Sequence, residues 1–426
     1  MYTKIEQLIL TINKKMWGTN IITTIDIGSS KIRTIIGYFD SETEDNFHIL
    51  GVWISVSNAI RKGNILDMTE FKANLDKSLE EAEKMAWEQV SWVYISFNSS
   101  SFEVLKKRWQ VTVAGWEIWE EEVDRVLEMA KNSVELPNRE VLKVIPENFI
   151  VDLEEGIKNP IGMSARRLEV VANIFSMNLN VLNNIKKAIA DIGIEIYDIY
   201  PNLLSSAEGV LTKRQKELGV VCIDIGASTT GVTVYENGVL HHSWVIPIGW
   251  DSVTNDIALG LRTSTGIAEK IKLDYAELDL ESVDGYIDEE IDLSVLNIWE
   301  EGTFSRLYLS QIVTARYEEL FYFVRQELKK VGKDGMLPEW AVCVGWSVKI
   351  KWFIDLGKKT LKLPVFIGLP VSKDDLVDAS ISDPVFAGSI GTMILSNTYW
   401  VNGGMFSLNI GWFFDSIVNI FKKLLP

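Results

Sequence analysis

Two short segments of this chain are near copies of each other, and both carry residues suited to phosphate and metal binding. Ile25–Ser30 reads IDIGSS, and Ile223–Thr230 reads IDIGASTT. A glycine-containing turn lets backbone N–H groups approach phosphate oxygens. An aspartate at the end of a strand can hold Mg²⁺, usually through water. Asp26 and Asp224 are therefore candidate metal ligands, and Asp224 is also a candidate catalytic carboxylate. Two such turns facing each other would clamp one nucleoside triphosphate.

The elements around the two segments must bring them together. Each segment follows an apolar run rich in β-branched residues and precedes another, so each is predicted to form the turn of a β-hairpin. The two aspartates lie nearly half the chain apart, which predicts two related halves. A single Asp-Ile-Gly is a weak signal, and its repetition at this spacing is what favours a nucleotide site.

Composition limits the possible partners. The chain has 426 residues, 47% of them apolar, and a net charge of −17. The length allows two to four domains, and the apolar content predicts real cores rather than disorder. The negative charge argues against a nucleic-acid partner, because such binding needs a basic surface. No apolar stretch is long enough to span a membrane. Cys222 and Cys343 lie in apolar strand-like runs and are expected to be core residues in a reducing compartment.

Hydrophobic periodicity predicts the elements between the two turns and after the second one. It places helices at residues 68–85, 120–131, 180–192, 252–261 and 312–330, and strands at 92–97, 109–113, 141–145, 149–151, 167–175, 194–199 and 340–344. The first 16 residues lack the pattern of a secretory signal, and their apolar spacing predicts a surface helix. Residues 395–408 are polar and glycine-containing and are predicted to form a linker.

The carboxyl end has an amphipathic pattern of its own. Its apolar residues share one helical face, and a lysine pair lies near the end of the chain. Such a helix would lie in a membrane interface, because it is too short to span a bilayer. A terminal helix docked on the core would look similar, so that alternative stays open. The expected membrane-contacting residues are Phe413, Phe414, Ile417, Ile420, Phe421, Lys422, Lys423 and Leu424.

Several further segments resemble the FtsA family of bacterial cell-division actin homologues, which belongs to the actin/Hsp70/sugar-kinase ATPase superfamily. The most specific are Val144–Phe149 (VIPENF) and Glu155–Ser164 (EGIKNPIGMS), which look like an inserted subdomain of that family. The other matching stretches are Ser57–Gly63 (SNAIRKG), Val245–Gly249 (VIPIG), Thr254–Ala258 (TNDIA) and Leu363–Pro370 (LPVFIGLP).

The resemblance implies an α/β fold, namely an actin-like (duplicated ribonuclease-H-like) ATPase fold with a small inserted α+β subdomain and a C-terminal amphipathic helix. It divides the chain into an N-terminal extension (1–19), a first half (20–90 and 179–215), the insertion (91–178), a second half (216–395), a linker (396–411) and a membrane-targeting helix (412–426).

The resemblance also implies a function and its partners. The family members bind ATP and Mg²⁺, polymerise on the cytoplasmic face of the cell membrane, and tether filaments of the tubulin-like protein FtsZ to the membrane at the division site. Other division proteins are further implied partners. The same function is therefore expected here, and no nucleic acid is expected among the partners.

Site residues carry over position by position. Those matching the first phosphate loop are Asp26, Gly28, Ser29, Ser30 and Lys31, and those matching the second are Asp224, Gly226, Ser228, Thr229 and Thr230. Glu269 and Lys272 match positions flanking adenosine, and Gly345 and Trp346 begin the loop under the base. Arg316 and Glu319 match a helix that contacts FtsZ, although their i, i+3 spacing is equally typical of a salt bridge within one helix.

The second loop departs from the family pattern. Ala227 and Ser228 replace glycines, and Gly231 stands where an aspartate is common. A carboxylate or amide near the γ-phosphate normally orients the attacking water. ATP is therefore expected to act first as a binding-state switch, and whether the chain is an enzyme stays open because hydrolysis would be slow or absent.

The chain has 15 tryptophans, and many stand where the family has glycine. Glycine at such sites permits a positive φ or a close backbone approach, which an indole does not. One interpretation is a codon (UGA) read here as tryptophan but as glycine in the source cell. The alternative is real tryptophan enrichment with compensating changes nearby. The clearest positions are Trp53, Trp109, Trp116, Trp250, Trp340, Trp346 and Trp352, together with Trp87.

Two other functions compete with a division tether. A soluble phosphotransferase such as a sugar kinase would leave the insertion and the amphipathic end without a role. The related pilus-assembly actin-like scaffold would leave the SNAIRKG and EGIKNPIGMS segments and the amphipathic end unexplained. Deleting residues 412–426 separates them, because only the division tether should then lose membrane binding.

Overall fold

The computed structural model describes residues 21–39, 47–133, 137–283, 286–295, 302–370 and 381–401. The expected N-terminal extension and the amphipathic carboxyl end lie outside these described residues. Two five-stranded sheets form the centres of the two halves, and a four-stranded sheet forms the insertion.

The first sheet is ordered β3-β2-β1-β6-β11. Its strands are β1 (Ile21–Ile27), β2 (Lys31–Phe39), β3 (Phe47–Val56), β6 (Trp92–Phe97) and β11 (Glu195–Pro201). β1 pairs antiparallel with β2 and parallel with β6. The strand β6 lies within the range predicted as the insertion, so part of that range belongs to the first half.

The second sheet repeats this arrangement in the order β14-β13-β12-β17-β18. Its strands are β12 (Val220–Ile225), β13 (Thr230–Glu236), β14 (Val239–Ile246), β17 (Ala341–Val344) and β18 (Val365–Ile367). β12 pairs antiparallel with β13 and parallel with β17, as β1 does with β2 and β6. The two predicted hairpins are therefore equivalent elements of a duplicated fold.

The insertion is a sheet of β7 (Glu103–Thr112), β8 (Arg139–Val151), β9 (Glu154–Ile157) and β10 (Arg167–Asn178), in the order β7-β10-β8-β9. The two strands predicted at 141–145 and 149–151 are one strand. A shift in register with β10 leaves Glu147 unpaired between Pro146 and Asn148, and such a bulge accommodates proline, which has no N–H. Two short pairs complete the described strands: β4 (Ile60–Arg61) with β5 (Asn64–Ile65), and β15 (Glu290–Asp292) with β16 (Thr303–Ser305).

Helices cover these sheets. They are α1 (Met68–Ala86), α2 (Glu120–Asn132), α3 (Leu179–Asp191), α4 (Asn202–Val210), α5 (Lys213–Leu218), α6 (Trp250–Leu261), α7 (Thr265–Tyr275), α8 (Arg306–Lys330), α9 (Phe353–Leu361) and α10 (Ala387–Val401). In α1, Asp67 caps the N-terminus by accepting hydrogen bonds from Thr69 and Glu70, and Phe71 and Leu75 face the core. Short 3₁₀ helices lie at Leu280–Ser282, Leu293–Val295, Trp346–Lys349 and Pro384–Phe386.

The helix α10 extends further than the sequence indicated. It continues to Val401 and takes in the start of the range predicted as a linker. No glycine follows Gly391 until Gly403, so the residue that most often ends a helix is absent from this stretch. Ser396 stays buried, and its hydroxyl donates to the Met393 carbonyl oxygen over 2.7 Å.

Candidate functional site

The first predicted loop joins β1 to β2. Asp26 is buried at the end of β1 and accepts a hydrogen bond from Arg33 Nη1 at 3.1 Å. Burial raises the pKa of the Asp26 carboxyl, although the Arg33 charge opposes that shift. The Gly28 N–H donates to the Lys31 carbonyl oxygen at 3.0 Å. A Cβ on Gly28 would lie 2.7 Å from that oxygen, so this turn needs glycine. Ser30 is exposed at the turn.

The second loop joins β12 to β13 and has the same internal bond. The Gly226 N–H donates to the Thr229 carbonyl oxygen at 3.0 Å. Asp224 is buried, and its Oδ2 accepts from Ser206 Oγ at 2.7 Å and from Asn202 Nδ2 at 3.0 Å. Burial raises the pKa of Asp224 to about 6, with the Ser206 hydrogen bond opposing the shift. Sequence reasoning found the aspartate but missed its two partners on α4.

The two loops are in direct contact. Ser228 Oγ donates to Ser29 Oγ and accepts from the Lys62 N–H at 2.9 Å. Thr230 is buried, and its hydroxyl donates to the Ile248 carbonyl oxygen at 2.8 Å. Hydroxyls from both halves and the Lys62 N–H therefore converge at one place, as a shared phosphate site requires. Lys62, which belongs to the SNAIRKG segment, was not predicted as a site residue.

Close packing accounts for glycine, instead of the family's common aspartate, at position 231. A Cβ on Gly231 would lie 2.6 Å from Leu203 Cβ and 3.0 Å from Asn98 Nδ2. An aspartate at this position therefore does not fit without movement of α4. The carboxylates that the two loops do offer are Asp26 and Asp224.

Glu269 and Lys272 lie together on α7, as predicted. Lys272 is fully buried, and its Nζ lies 2.7 Å from Glu269 Oε2 and 3.2 Å from the Trp250 carbonyl oxygen, which it donates to. It also donates to Thr254 Oγ1, a partner that the sequence did not indicate. Burial lowers the pKa of Lys272 to about 8, and the hydrogen bond to Glu269 opposes the shift. The Nζ lies 4.1 Å from the Trp250 ring centroid.

The predicted glycine loop follows β17. Gly345 has φ 97°, and a Cβ there would lie 2.4 Å from the Ile225 carbonyl oxygen. The Trp346 ring centroid lies 4.1 Å from Lys31 Nζ and 4.4 Å from Lys349 Nζ. Burial and the neighbouring Arg33 and Lys349 charges lower the pKa of Lys31. Lys349 was not predicted, because it lies far along the chain from both phosphate loops.

Arg316 and Glu319 form the salt bridge that their spacing allows. Arg316 also binds Asp256 of α6 with two guanidinium nitrogens, and its Nη2 lies 2.7 Å from Asp256 Oδ1. The geometry accounts for the pair without any partner, so the expected FtsZ contact stays a prediction. The expected membrane-contacting residues, 413–424, lie outside the described residues. Within the part of the chain that the structure describes, every helix is too short or too polar to cross a membrane.

Comparisons with solved structures define the class of protein. The chain is similar to a PilM-PilN type IV pilus biogenesis complex, with TM-score 0.63, 13% identity and coverage of 88% of this chain and 98% of that one. It is also similar to MreB5 of Spiroplasma citri bound to ADP, with TM-score 0.53, 13% identity and coverage of 90% and 98%. At this identity the likeness concerns the fold alone. The chain therefore has the actin-like fold that the sequence predicted, and its two loops join β1 to β2 and β12 to β13.

Family comparisons narrow this class. A model of the SHS2 domain inserted in FtsA matches residues 100–176, and a model of cell division protein FtsA matches residues 221–391. Cell division protein FtsA of Pseudomonas aeruginosa is 30% identical over 88% of both chains. The Bacillus subtilis protein of that name is 32% identical over 83% of this chain and 80% of its own. The chain belongs to the FtsA family of cell division proteins, which confirms the resemblance found in the sequence.

Proposed function

We propose that this chain binds ATP with Mg²⁺ between its two loops and uses the nucleotide as a binding-state switch, with slow or no hydrolysis. The observation that carries this proposal is the contact between the two loops, where Ser29, Ser228 and the Lys62 N–H converge. Lys31 and Lys349 supply positive charge beside them. The similar MreB5 of Spiroplasma citri is bound to ADP, which is consistent with the same use of this fold.

The residues present suit a magnesium ion. Mg²⁺ prefers oxygen ligands and in nucleotide sites takes one or two carboxylates together with phosphates and waters. Asp26 and Asp224 are the carboxylates of the two loops and are close enough for the Asp26 charge to raise the pKa of Asp224. The described residues contain no cluster of three or more His, Cys, Asp or Glu side chains that could hold a metal without the nucleotide. The ion would neutralise phosphate charge, and Asp224 would have to be ionised to ligate it.

The nucleotide-bound chain polymerises on the cytoplasmic face of the cell membrane and tethers FtsZ filaments there. Residues 412–426 provide the membrane contact, and a surface containing Arg316 and Glu319 provides the FtsZ contact. Membership of a cell-division family supports this role. The net charge of −17 supports a local membrane contact, because the body as a whole is repelled by anionic lipid. This role uses two actin-like halves, an insertion that begins after β6, a linker and a membrane-targeting helix.

Co-sedimentation with anionic vesicles tests the proposal. The full chain is mixed with vesicles, FtsZ and Mg²⁺, with and without ATP, and compared with a chain lacking residues 412–426. Intact chain should pellet and carry FtsZ with it, more strongly with ATP, and the shortened chain should leave both in solution. F421D should behave like the truncation, while N419D, which adds the same charge on the polar face, should still pellet. Pelleting that does not depend on the tail would overturn the tether.

A further inference from the structure

We propose that Trp87, Trp116, Trp340 and Trp352 are glycine in the native protein, and that Trp53, Trp109, Trp250 and Trp346 belong to the same set. One cause covers all eight: the codon UGA is read as glycine by the cell of origin. The backbone, the side-chain surroundings and the nucleotide cleft each support this inference by a separate route.

The backbone evidence comes from four left-handed residues. Trp87, Trp116, Trp340 and Trp352 have φ values of 57°, 67°, 71° and 66°. A bulky side chain rarely adopts this conformation, which glycine enters without steric cost. Of the other non-glycine residues with positive φ in the described part of the chain, four are Asn or Asp and three are Lys or Arg. Among all described non-glycine residues with positive φ, tryptophan is the only aromatic residue type.

The surroundings of these four indoles do not offset the strain. Trp87 is the left-handed cap after α1, a position that glycine favours, and its side chain is 92% exposed. Trp352 precedes α9 and is 46% exposed. Trp116 is 64% exposed with the Arg166 guanidinium 4.6 Å from its ring centroid, and Trp340 stacks on the exposed Phe366 at 4.8 Å. None of the four is part of a buried core.

Two other members of the set lie in strands and bury a polar group. Trp53 of β3 and Trp109 of β7 each have a buried indole N–H without a hydrogen-bond partner, a feature that Trp244 of β14 shares in the described part of the chain. A buried donor without an acceptor is costly, and tryptophans in cores normally satisfy this group. Glycine has no indole N–H, so glycine at positions 53 and 109 would remove both unpartnered donors.

The last two members lie in the candidate nucleotide site. Trp250 is the first residue of α6, and Trp346 follows the left-handed Gly345. Each indole is in contact with a lysine of the site, Lys272 in one case and Lys31 in the other. Glycine at 250 and 346 would remove both rings from beside these ammonium groups and clear space beside the loop. An effect of these two positions on nucleotide affinity rests on the proposed function. The inference that positions 250 and 346 are glycine does not.

Trp92 provides a contrast within the same chain. It lies in β6 with a regular strand backbone, and its ring contacts Tyr94 and Tyr197, each at a centroid distance of 5.7 Å. These neighbours form a normal aromatic environment. Trp92 is therefore a native tryptophan, and its codon should be UGG while the eight others are UGA.

Peptide mass spectrometry of the protein isolated from its own cells tests the inference directly. Peptides spanning positions 87, 116, 340 and 352 should carry the mass of glycine at each site, and the peptide spanning Trp92 should carry tryptophan. Tryptophan at the four positions would overturn the proposal. Glycine there combined with failure to bind ATP would leave this inference standing and overturn the nucleotide proposal instead.

Thermal unfolding of recombinant chain adds a test that does not need native material. W87G and W352G should each raise the melting temperature by about 2–4 °C, because glycine relieves the left-handed strain. W92G is the matched control and should lower it, because it removes a packed ring. A fall in melting temperature for both W87G and W352G would contradict the inference.

Discussion

Ser205 of α4 and Gly391 of α10 lie so close that a Cβ on Gly391 would be 1.6 Å from the Ser205 carbonyl oxygen. Gly209 meets α10 in the same way, because its Cβ would lie 2.2 Å from the Ala387 carbonyl oxygen. The two helices therefore pack backbone against backbone, and α4 lies on β12 and β13 of the second sheet while α10 packs on β1 and β6 of the first. The contact between α4 and α10 therefore fixes how the two halves pack against each other.

G391A should destabilise the protein by about 3 kcal/mol or more, because the new methyl group overlaps backbone that cannot rotate away. Urea unfolding measures the effect. G266A is the matched control: Gly266 is helical with no atom within 4 Å of its Cβ position, so the change should be neutral or stabilising by up to about 1 kcal/mol. Equal effects from the two variants would contradict the close packing.

The bulge residue Glu147 locks the insertion to the second half. Its Oε1 lies 2.8 Å from His241 Nδ1 of β14, and its Oε2 pairs with Lys106. Burial raises the pKa of Glu147, but the hydrogen bonds from His241 and Lys106 and the Lys106 charge outweigh burial and leave the pKa below its ordinary value. The contribution to stability is therefore present above about pH 4.5 and is lost as the pH falls through the lowered pKa.

E147Q should lower the free energy of unfolding by about 1–3 kcal/mol at pH 7. The difference from the parent chain should shrink as the pH falls below about 4.5. Urea unfolding at pH 7 and near pH 4 checks this. E140Q is the control, since the Glu140 pair with Lys186 is more exposed and should matter by less than about 1 kcal/mol. A loss from E147Q that does not change with pH would contradict the assigned ionisation.

Y317F tests the support beneath the nucleotide loop. The buried Tyr317 hydroxyl donates to the Ser347 carbonyl oxygen at 2.9 Å, and Ser347 lies in the loop that begins at Gly345. Losing this bond should cost about 1 kcal/mol of stability and weaken ATP binding up to about tenfold, as titration with a fluorescent ATP analogue would measure. Y308F, on an exposed face of the same helix α8, should change neither quantity.

R316A distinguishes a partner contact from an internal salt bridge. If Arg316 contacts FtsZ, R316A should reduce FtsZ capture at least about tenfold in a pull-down titration, consistent with loss of a charged interface anchor. D256N weakens the internal pair but keeps the guanidinium, so it should retain most capture while costing about 1 kcal/mol of stability. Equal capture by R316A and the parent chain would leave the pair a purely structural one.

The sequence by itself determined the local features of this protein. The repeated IDIG turns follow from β-branched strands and a glycine that the turn geometry requires, so both hairpins, their aspartates and the duplication were predictable. Helix positions were predictable because apolar spacing along one face reflects burial. The family-specific segments then indicated the inserted subdomain and the FtsA family.

Only the tertiary structure decided which distant residues meet. It placed β6 in the first sheet, Thr254 against Lys272, and Lys349 beside Trp346, none of which the sequence indicated. It also brought Ser29 to Ser228 and Glu147 to His241. These contacts join residues far apart in the chain, and no local periodicity encodes them, because packing of whole elements sets their distances.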